Sequence, residues 1–544
     1  MSKPYNFTAK TKPFDHQVDA FHFSYDKPYS ALFMEQGTGK TKVVIDLACN
    51  YFMDGKINAV MVIAPNGVHD QWVKEQLPQH SSIKSITHIW HSTASKGEKL
   101  NRKRFIEKDN TILKWFAVNV EAFSTANHIK VFRDFLKTHN VLLVVDESTR
   151  IKNPEANRTI NIMHNLCKIV KDSRKVIDVI PLSKYRMVLT GTMITNSPFD
   201  LWSMFEFLHH DYFGMNYYAF KARYGIEVQD VNQHTRARYK RKIRPDEIDS
   251  VRRYIGDGKH VEAVASMMNI SESSVQYIVD HPNITLPYKR LTELRDSIQE
   301  DAFIIRKEDC LDLPPKVYSI IKVKMGPDQK RVYNDLRGKY LAEYAGKELT
   351  VQNKVTLVGR LQQVTGGFFP YKDDGTGKGH IIPIAGKNNK IEVIKNKIDE
   401  AGGGTIIVWA RFVGELKLLH QQLKKSYPEK NIALYYGGVT KSKRSQIIKS
   451  FQKGKVNILI ANPATAGTGL NLQLSHHQIF FSNSYSMEER QQAEDRSHRI
   501  GQAVSVLYED IIVEGTVDET VFQMLQAKKD LLDFFRSKDI SEII

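Results

Sequence analysis

Seven consecutive residues carry the most specific chemistry in this chain. Gln36-Gly37-Thr38-Gly39-Lys40-Thr41-Lys42 follow an apolar run at 29–34 and precede an apolar helical stretch. This order predicts a phosphate-binding loop, because glycines let backbone N–H groups face phosphates and a helix N-terminus adds its positive dipole end. Lys40 is expected to reach the β- and γ-phosphates and the Thr41 hydroxyl to bind Mg²⁺. The full eight-residue pattern has a glycine where this chain has Met34, so the match is to a shortened form.

Two neighbouring carboxylates end a second apolar run, at Val144-Val145-Asp146-Glu147. Paired acids at a strand end suit nucleotide hydrolysis, since one can hold hydrated Mg²⁺ while the other orients and deprotonates the attacking water. Alone, such a pair also fits a solvated turn. Downstream of a Gly-Lys-Thr loop, it favours a nucleotide site.

The elements that must position these residues are short apolar strands that alternate with amphipathic helices, the pattern of parallel α/β layers. In open α/β sheets, ligands bind at the carboxyl ends of the strands, where both motifs fall. The apolar runs that predict strands lie at 29–34, 59–63, 141–145, 187–189, 405–409, 432–435, 456–460 and 478–481.

These runs form two α/β blocks, one before residue 210 and one after residue 400. Between the blocks, from about 210 to 287, the pattern becomes helical, basic and aromatic. Residues 236–253 hold eight basic and three acidic side chains. Within about 245–282, apolar spacing predicts a helix-turn-helix with a turn at Asn269 and a second helix capped by Ser271. That helix would offer Ser273, Ser274, Gln276 and Tyr277 to a DNA groove. DNA contact and simple packing of a helical protrusion both remain open.

The predicted domains are 1–209, 210–325 and 326–544.

Composition narrows the partners and the compartment. A formal net charge of +17 and a pI near 9.4 suggest an anionic partner, with nucleic acid the leading candidate over a merely basic soluble surface. Cys49, Cys167 and Cys310 have no metal-ligand spacing and indicate a reducing compartment. Without an apolar signal or a membrane-length run, we expect a soluble, cytoplasmic protein.

Further motifs resemble those of the Swi/Snf-type ATPases, a branch of the superfamily-two helicase-like motors. They occur in the family's order and cover nearly the whole chain, from about 14 to 532. The matching segments are the Asp-Glu box at 146–153 (DESTRIKN), the third motif at 189–196 (LTGTMITN) with Leu201-Trp202, the connector between the lobes at 303–307 with 313–316 (LPPK), the fifth motif at 466–472 (AGTGLNL) and the sixth motif at 491–502 (QQAEDRSHRIGQ).

The resemblance implies two RecA-like lobes with a helical insertion in the first, and ATP with Mg²⁺ as cofactors. It implies that Gln17 reads adenine, that Gly37, Thr38, Gly39, Lys40 and Thr41 hold the phosphates and Mg²⁺, and that Asp146 binds Mg²⁺. Glu147 would act on the water. Arg496 and Arg499 would be arginine fingers, which can be worth 10³–10⁵ in rate in related phosphoryl-transfer enzymes.

The same resemblance implies contacts to a nucleic-acid backbone. They fall at Ala64-Pro65-Asn66 with Trp72, at Thr190, Gly191 and Thr192, and at Thr468, Gly469 and Asn471; small residues at strand ends let main-chain N–H groups approach phosphates. There are two departures. Thr149 stands where the family usually carries the His that couples nucleotide state to the third motif, and the loop begins Glu35-Gln36-Gly37-Thr38.

The sequence therefore predicts an ATP-dependent motor that tracks along double-stranded DNA, with single-stranded DNA or RNA as other tracks. One alternative is a strand-separating helicase. The other is a sequence-specific DNA-binding regulator that uses the helix-turn-helix, with its nucleotide site as a switch. Glu147, Arg496 and Arg499 argue against the regulator, because a switch does not need a complete hydrolytic set.

Overall fold

A computed structural model describes residues 9–107, 109–172, 175–231, 238–243, 245–281, 287–343, 351–372, 379–466 and 470–536. The chain divides into two compact units. The first comprises Met1–Arg306 with Leu532–Ile544, and the second comprises Lys307–Leu531. The connector at 303–316 therefore contributes residues to both units.

The strands of the first unit follow the apolar runs of the sequence closely. They are β1 (Tyr29–Met34), β2 (Ala59–Ala64), β3 (Ser85–Ile89), β4 (Leu113–Asn119), β5 (Val141–Asp146), β6 (Cys167–Asp172), β7 (Lys175–Pro181), β8 (Tyr185–Leu189), β9 (Glu227–Val231), β10 (Arg238–Lys242) and β11 (Ala302–Ile305).

Seven of these strands form one parallel sheet in the order β11-β1-β8-β5-β2-β4-β3. Every residue of β2 and β5 is buried, as expected for parallel strands covered by helices on both faces. Strand β8 lies between β1 and β5. The loops that leave β1, β8 and β5 at their carboxyl ends are therefore neighbours, and these loops carry the phosphate motif, the third motif and the Asp-Glu pair.

The helices of the first unit are α1 (Asp15–Tyr25), α2 (Lys40–Met53), α3 (Val68–Gln71), α4 (Leu77–His80), α5 (Lys96–Ile106), α6 (Ile129–Thr138), α7 (Asn157–Asn165), α8 (Asp200–Leu208), α9 (Tyr217–Tyr224), α10 (Pro245–Gly256), α11 (Val261–Met268), α12 (Glu272–Asp280) and α13 (Leu291–Gln299). A π-helical segment, Trp72–Gln76, joins α3 to α4. The main core packs α2 against one face of the sheet.

The insert has a small core of its own. Strands β9 and β10 pair as an antiparallel hairpin, and the three helices α10, α11 and α12 bury apolar side chains against one another and against the hairpin. Asn269 takes the left-handed conformation between α11 and α12, and the Ser271 hydroxyl accepts a hydrogen bond from the Ser274 amide at 3.2 Å. The turn and the cap of the predicted helix-turn-helix are present. The hairpin was not predicted.

The second unit is built around a six-stranded parallel sheet in the order β12-β19-β18-β15-β17-β16. Its strands, with one separate hairpin of β13 and β14, are β12 (Lys316–Val323), β13 (Phe368–Lys372), β14 (Gly379–Pro383), β15 (Ile406–Trp409), β16 (Ile432–Tyr435), β17 (Ile458–Ala461), β18 (His477–Phe480) and β19 (Val506–Val513). Its helices are α14 (Pro327–Glu343), α15 (Val351–Thr365), α16 (Asn389–Glu400), α17 (Val413–Ser426), α18 (Lys441–Gln452), α19 (Pro463–Ala466), α20 (Met487–Glu494) and α21 (Val517–Arg536), whose last residues belong to the first unit.

Alternate residues of β15 face opposite sides of this sheet, as strand geometry requires. Ile406 and Val408 join the core on one face, whereas Ile407 and Trp409 join the core on the other. The predicted fold class, α/β with parallel sheets and an insertion in the first lobe, is confirmed. Among helices in the described ranges, none has the length and apolar character that crossing a membrane requires.

Candidate nucleotide site and arginine segment

Two glycines give the phosphate loop its shape. Gly37 and Gly39 have φ angles of 91° and 93°, in the left-handed region that side-chain-bearing residues rarely adopt. A Cβ atom on Gly39 would lie 2.2 Å from the Gln17 amide nitrogen. Gly39 also immediately precedes the first turn of α2, so the loop leads directly into a helix N-terminus, where backbone N–H groups lack intrahelical partners.

Lys40 is held inside the loop. Its ammonium group donates to the Met34 carbonyl at 2.8 Å and to the Glu35 carbonyl at 3.4 Å, and the residue is 9% exposed. Thr41, next along α2, is half-buried. A phosphate would offer Lys40 a charged acceptor in place of two neutral carbonyls, and hydrogen bonds to charged groups are the stronger ones.

Gln17 contacts the same loop from α1. Its amide donates to the Thr38 carbonyl at 3.0 Å and its oxygen accepts from the Phe14 amide at 3.1 Å. His16, which the sequence analysis did not single out, has its Nε2 atom 2.7 Å from the Thr38 carbonyl. Both side chains are buried and brace the loop; adenine recognition by Gln17 stays a prediction.

Asp146 has an unexpected partner. The Trp72 indole N–H donates to its carboxylate at 2.7 Å, and Trp72 is 2% exposed. Burial raises the pKa of Asp146, and this effect outweighs the Trp72 hydrogen bond and the Lys40 charge, which both lower the pKa. The side chain of Trp72 is therefore a neighbour of the acidic site, and the contact with nucleic acid that the resemblance implies for this residue stays a prediction.

Glu147 follows in a strained backbone conformation. Its φ and ψ angles are 48° and 57°, and its amide donates to the Asp146 carboxylate at 2.9 Å. Non-glycine residues in this region cost energy and are concentrated at functional sites. The left-handed turn lets the chain leave β5 abruptly, so Asp146 is buried while Glu147 is only half-buried.

The third motif approaches the phosphate loop. A Cβ atom on Gly191 would lie 3.1 Å from the Gln36 amide nitrogen, so only a small residue fits there without displacement of the loop. Thr190 and Thr192 are buried, and the Thr192 amide donates to the Thr190 hydroxyl at 3.0 Å. A contact of these two residues with nucleic acid stays a prediction.

A polar chain joins the Asp-Glu box to the third motif. Lys152 donates to the Thr195 hydroxyl, and that hydroxyl donates to Asp200 at 2.8 Å. Thr149, the departure from the family pattern, is buried, and its hydroxyl has no hydrogen-bond partner in the described part of the chain. Lys152 therefore provides a link between the two motifs that does not involve Thr149.

In the second unit, Arg496 and Arg499 follow α20. Arg496 is 3% exposed, and its carbonyl accepts from the Leu472 amide at 3.0 Å. Arg499 is half-buried and donates to the Leu470 carbonyl at 3.1 Å. Burial lowers its pKa, partly offset by Asp495. Asn471 is half-buried beside them, and the predicted contacts Thr468 and Gly469 lie outside the described residues.

Comparison with known families decides the affiliation. Residues 26–365 match the model of the SNF2-related domain, and residues 389–501 match that of the helicase conserved C-terminal domain. The chain belongs to the SNF2-related family.

Relatives of this SNF2-related chain are distant in sequence. It is 23% identical to the putative ATP-dependent helicase/translocase YwqA of Bacillus subtilis, over 64% of this chain and 32% of that protein. It is 21% identical to the uncharacterized ATP-dependent helicase MG018 of Mycoplasma genitalium, over 94% and 41%. It is 23% identical to the human DNA excision repair protein ERCC-6-like, over 95% and 41%. The chain thus spans about a third to two fifths of these curated relatives. A solved SWI2/SNF2 ATPase core of Sulfolobus solfataricus in complex with dsDNA matches with a TM-score of 0.39 and 20% identity, over 99% of this chain and 97% of that one.

Proposed function

We propose that this SNF2-related chain is an ATP-dependent motor that hydrolyses ATP to translocate along double-stranded DNA. The observation that carries the proposal is the placement of Lys40 and Asp146 at the carboxyl edge of one parallel sheet, where the Lys40 charge acts on the Asp146 carboxylate. Glu147 is the next residue along the chain. Family membership and the +17 charge agree with an anionic track.

The acidic side of the site fits a divalent cation. Burial raises the pKa of Asp146 despite two stabilising neighbours, so added positive charge would stabilise its carboxylate. Asp146 and the Thr41 hydroxyl would hold Mg²⁺, which when bound supplies positive charge to the phosphate oxygens. Lys40 would move from the Met34 carbonyl to the phosphates, Glu147 would take the proton from the attacking water, and Arg496 and Arg499 would offset the charge of the transferred phosphoryl group.

Backbone contacts, not base contacts, would fix the motor on its track. Thr190, Gly191, Thr192, Thr468, Gly469 and Asn471 are the proposed contact positions. We expect DNA affinity to fall steeply between low and physiological salt, because neutralising several phosphates releases counterions. A flat salt response would contradict this part of the proposal.

Duplex translocation and strand separation differ in a direct assay. We expect the chain to displace the third strand of a triplex in the presence of ATP, and to leave a forked duplex paired. Unwinding of the fork would instead identify a true helicase. The Glu147→Gln variant, inactive in hydrolysis, is the control for displacement by binding alone.

The insert gives specific support to a second candidate, a sequence-specific DNA-binding regulator. Its turn at Asn269 and its cap at Ser271 lie where the sequence predicts a helix-turn-helix, and its core is separate from that of the main sheet. However, residues 245–281 contain seven acidic side chains against three Lys and Arg, so the three helices carry no excess positive charge, and the basic residues of the insert lie mostly at 236–244. We propose that it contributes to target choice. Deletion of Arg244 to Pro282 tests this: loss of all DNA affinity with retained ATPase activity would favour the regulator.

A further inference from the structure

Two adjacent buried carboxylates immediately precede the arginine segment. Glu494 is the last residue of α20 and Asp495 follows it, with 6% and 10% of their side chains exposed. Both lie at the negative end of a helix dipole, which disfavours a carboxylate. Charges buried in this way need partners, because a lone ion in a protein interior is costly.

The partners come from the connector and from α20. Lys307 Nζ lies 2.6 Å from an Asp495 carboxylate oxygen, and Lys316 Nζ lies 3.1 Å from Glu494 and 3.2 Å from Asp495. Arg490 pairs with Glu494 at 2.7 Å. Although burial alone would raise both pKa values, these cations lower the pKa of Glu494 to about 2 and that of Asp495 well below its usual range.

Lys307 holds the backbone as well as the carboxylate. Its ammonium group also donates to the His498 carbonyl at 2.9 Å, and His498 Nε2 lies 2.8 Å from the Pro314 carbonyl. One lysine thus contacts the residue before Arg496 and the residue before Arg499. With 4% of its side chain exposed, Lys307 is a buried clamp across the turn that carries both arginines.

The opposite side of the turn is fixed by the fifth motif. The Ser497 hydroxyl donates to the Leu472 carbonyl at 2.9 Å, and Arg499 donates to the Leu470 carbonyl at 3.1 Å. Burial lowers the pKa of Arg499 and the Asp495 charge partly offsets this, so the two opposite charges interact. Asp495 pairs with Lys307 and Lys316, whereas the Arg499 guanidinium donates to the Leu470 carbonyl.

We propose that Lys307, supported by Lys316, is a positioning residue for ATP hydrolysis: the connector sets the placement of Arg496 and Arg499 through the buried Asp495. Without the lysine, the turn loses its clamp and Asp495 attracts Arg499. This inference rests on the proposed function, in which the two arginines stabilise the transferred phosphoryl group.

The test compares Lys307→Met, Lys307→Arg and the charge-balanced pair Lys307→Met with Asp495→Asn. For Lys307→Met we expect kcat to fall about 100-fold, the scale of a 1 Å misplacement, while KM for ATP stays within about twofold. Binding of ADP with aluminium fluoride should weaken, and binding of ADP alone should not change. Lys307→Arg should retain most of the activity.

The charge-balanced pair separates positioning from simple stabilisation. It leaves no unpaired buried carboxylate, so its melting temperature should return towards the wild-type value while kcat stays low. Recovery of kcat together with stability would overturn the inference. Lys390→Met is the matched control, since Lys390 forms a buried 3.0 Å pair with Asp518 in the same unit; it should lose stability and keep its kcat at temperatures where it is folded.

The Arg499→Ala variant separates the positioning role of Lys307 from the proposed role of the arginines in hydrolysis. If it loses hydrolysis while Lys307→Met does not, the positioning role is wrong and the proposed function stands. If Arg499→Ala hydrolyses ATP like the wild type, the assignment of the arginines fails.

Discussion

Two buried carboxylates, Asp146 in the first unit and Asp495 in the second, have pKa values shifted in opposite directions. In the first, burial outweighs Trp72 and Lys40, so the pKa of Asp146 is raised. In the second, Lys307 and Lys316 outweigh burial, so the pKa of Asp495 is lowered. Asp146 ends β5 and Asp495 directly follows α20, and each lies next to a predicted catalytic group.

The difference indicates two roles. A buried carboxylate whose neighbours do not fully offset the cost of burial is stabilised in its charged form when a cation binds. This property suits a site that must bind Mg²⁺ and nucleotide together. A buried carboxylate whose charge is already paired with lysines needs no ligand to stabilise it, and it holds the neighbouring backbone in place. We therefore propose a ligand-binding role for Asp146 and a structural role for Asp495.

The largest expected effect comes from removing the groups that act on the phosphates and the water. Glu147→Gln should lower ATP turnover roughly 10³-fold, within the range for loss of a general base, and should still bind ATP. Lys40→Ala should abolish turnover, because the phosphates lose their cation. Steady-state phosphate release and nucleotide binding measure these effects. Wild-type turnover in Glu147→Gln would refute its assignment as the base.

A smaller effect should follow from removing the Trp72 donor. Trp72→Phe retains most of the ring and loses the 2.7 Å bond to Asp146, so the Mg²⁺ concentration for half-maximal activity should rise roughly tenfold, as for other outer-shell partners of metal ligands. Calorimetry of ADP with and without Mg²⁺ gives a second readout, in which only the Mg²⁺-dependent part should weaken.

Trp115→Phe is the matched control for this experiment. Trp115 is 1% exposed, its ring centre lies 6.4 Å from that of Trp72, and its Nε1 atom has no hydrogen-bond partner among the described residues. It should lose packing without a change in Mg²⁺ dependence. Equal shifts in both variants would show that packing, not the Asp146 bond, is responsible.

A third buried carboxylate, Glu415, tests the comparison through stability. It is fully buried, and burial raises its pKa to about 7 although Lys390 and the Ser482 hydroxyl favour the charged form. Between its ordinary pKa of 4.5 and 7, the folded state binds a proton that the unfolded state has released. The free energy of unfolding should therefore fall as pH rises through this window, by up to about 3 kcal/mol.

Glu415→Gln should remove that pH dependence and stabilise the protein above pH 7, as measured by denaturant unfolding between pH 5 and pH 8 at roughly half-unit steps. Its amide oxygen can still accept from the Phe412 amide, which donates to Glu415 at 3.0 Å. The exposed Glu429→Gln is the control and should keep the wild-type slope. A slope unchanged by Glu415→Gln would mean that this carboxylate is compensated like Asp495.

Local patterns predicted several strands of both sheets well. The runs at 29–34 and 432–435 coincide with β1 and β16, and those at 59–63 and 141–145 differ from β2 and β5 by one residue. Strands β2 and β5 are buried along their whole length, so a continuous apolar run rich in β-branched residues specifies them. The turn at Asn269 was predicted as well, because the residue types that favour a left-handed turn and a helix N-cap are visible in the local sequence.

Contacts distant in sequence were not predictable. Strand β11 lies at the sheet edge and pairs with β1, although some 270 residues separate them. Trp72 meets Asp146 across 74 residues, and Lys316 meets Glu494 across 178. No sequence periodicity encodes such pairs. The sequence therefore indicated the acids and arginines, but not the neighbouring side chains that shift the pKa values of these groups.

The central claim is that hydrolysis depends on a duplex DNA track. The most direct test is steady-state ATPase activity without nucleic acid and then with single-stranded DNA, double-stranded DNA and RNA, with Glu147→Gln as the blank. We predict strong stimulation by double-stranded DNA and little by the others. Equal rates under all four conditions would contradict the account, and stimulation mainly by single strands would indicate an unwinding helicase.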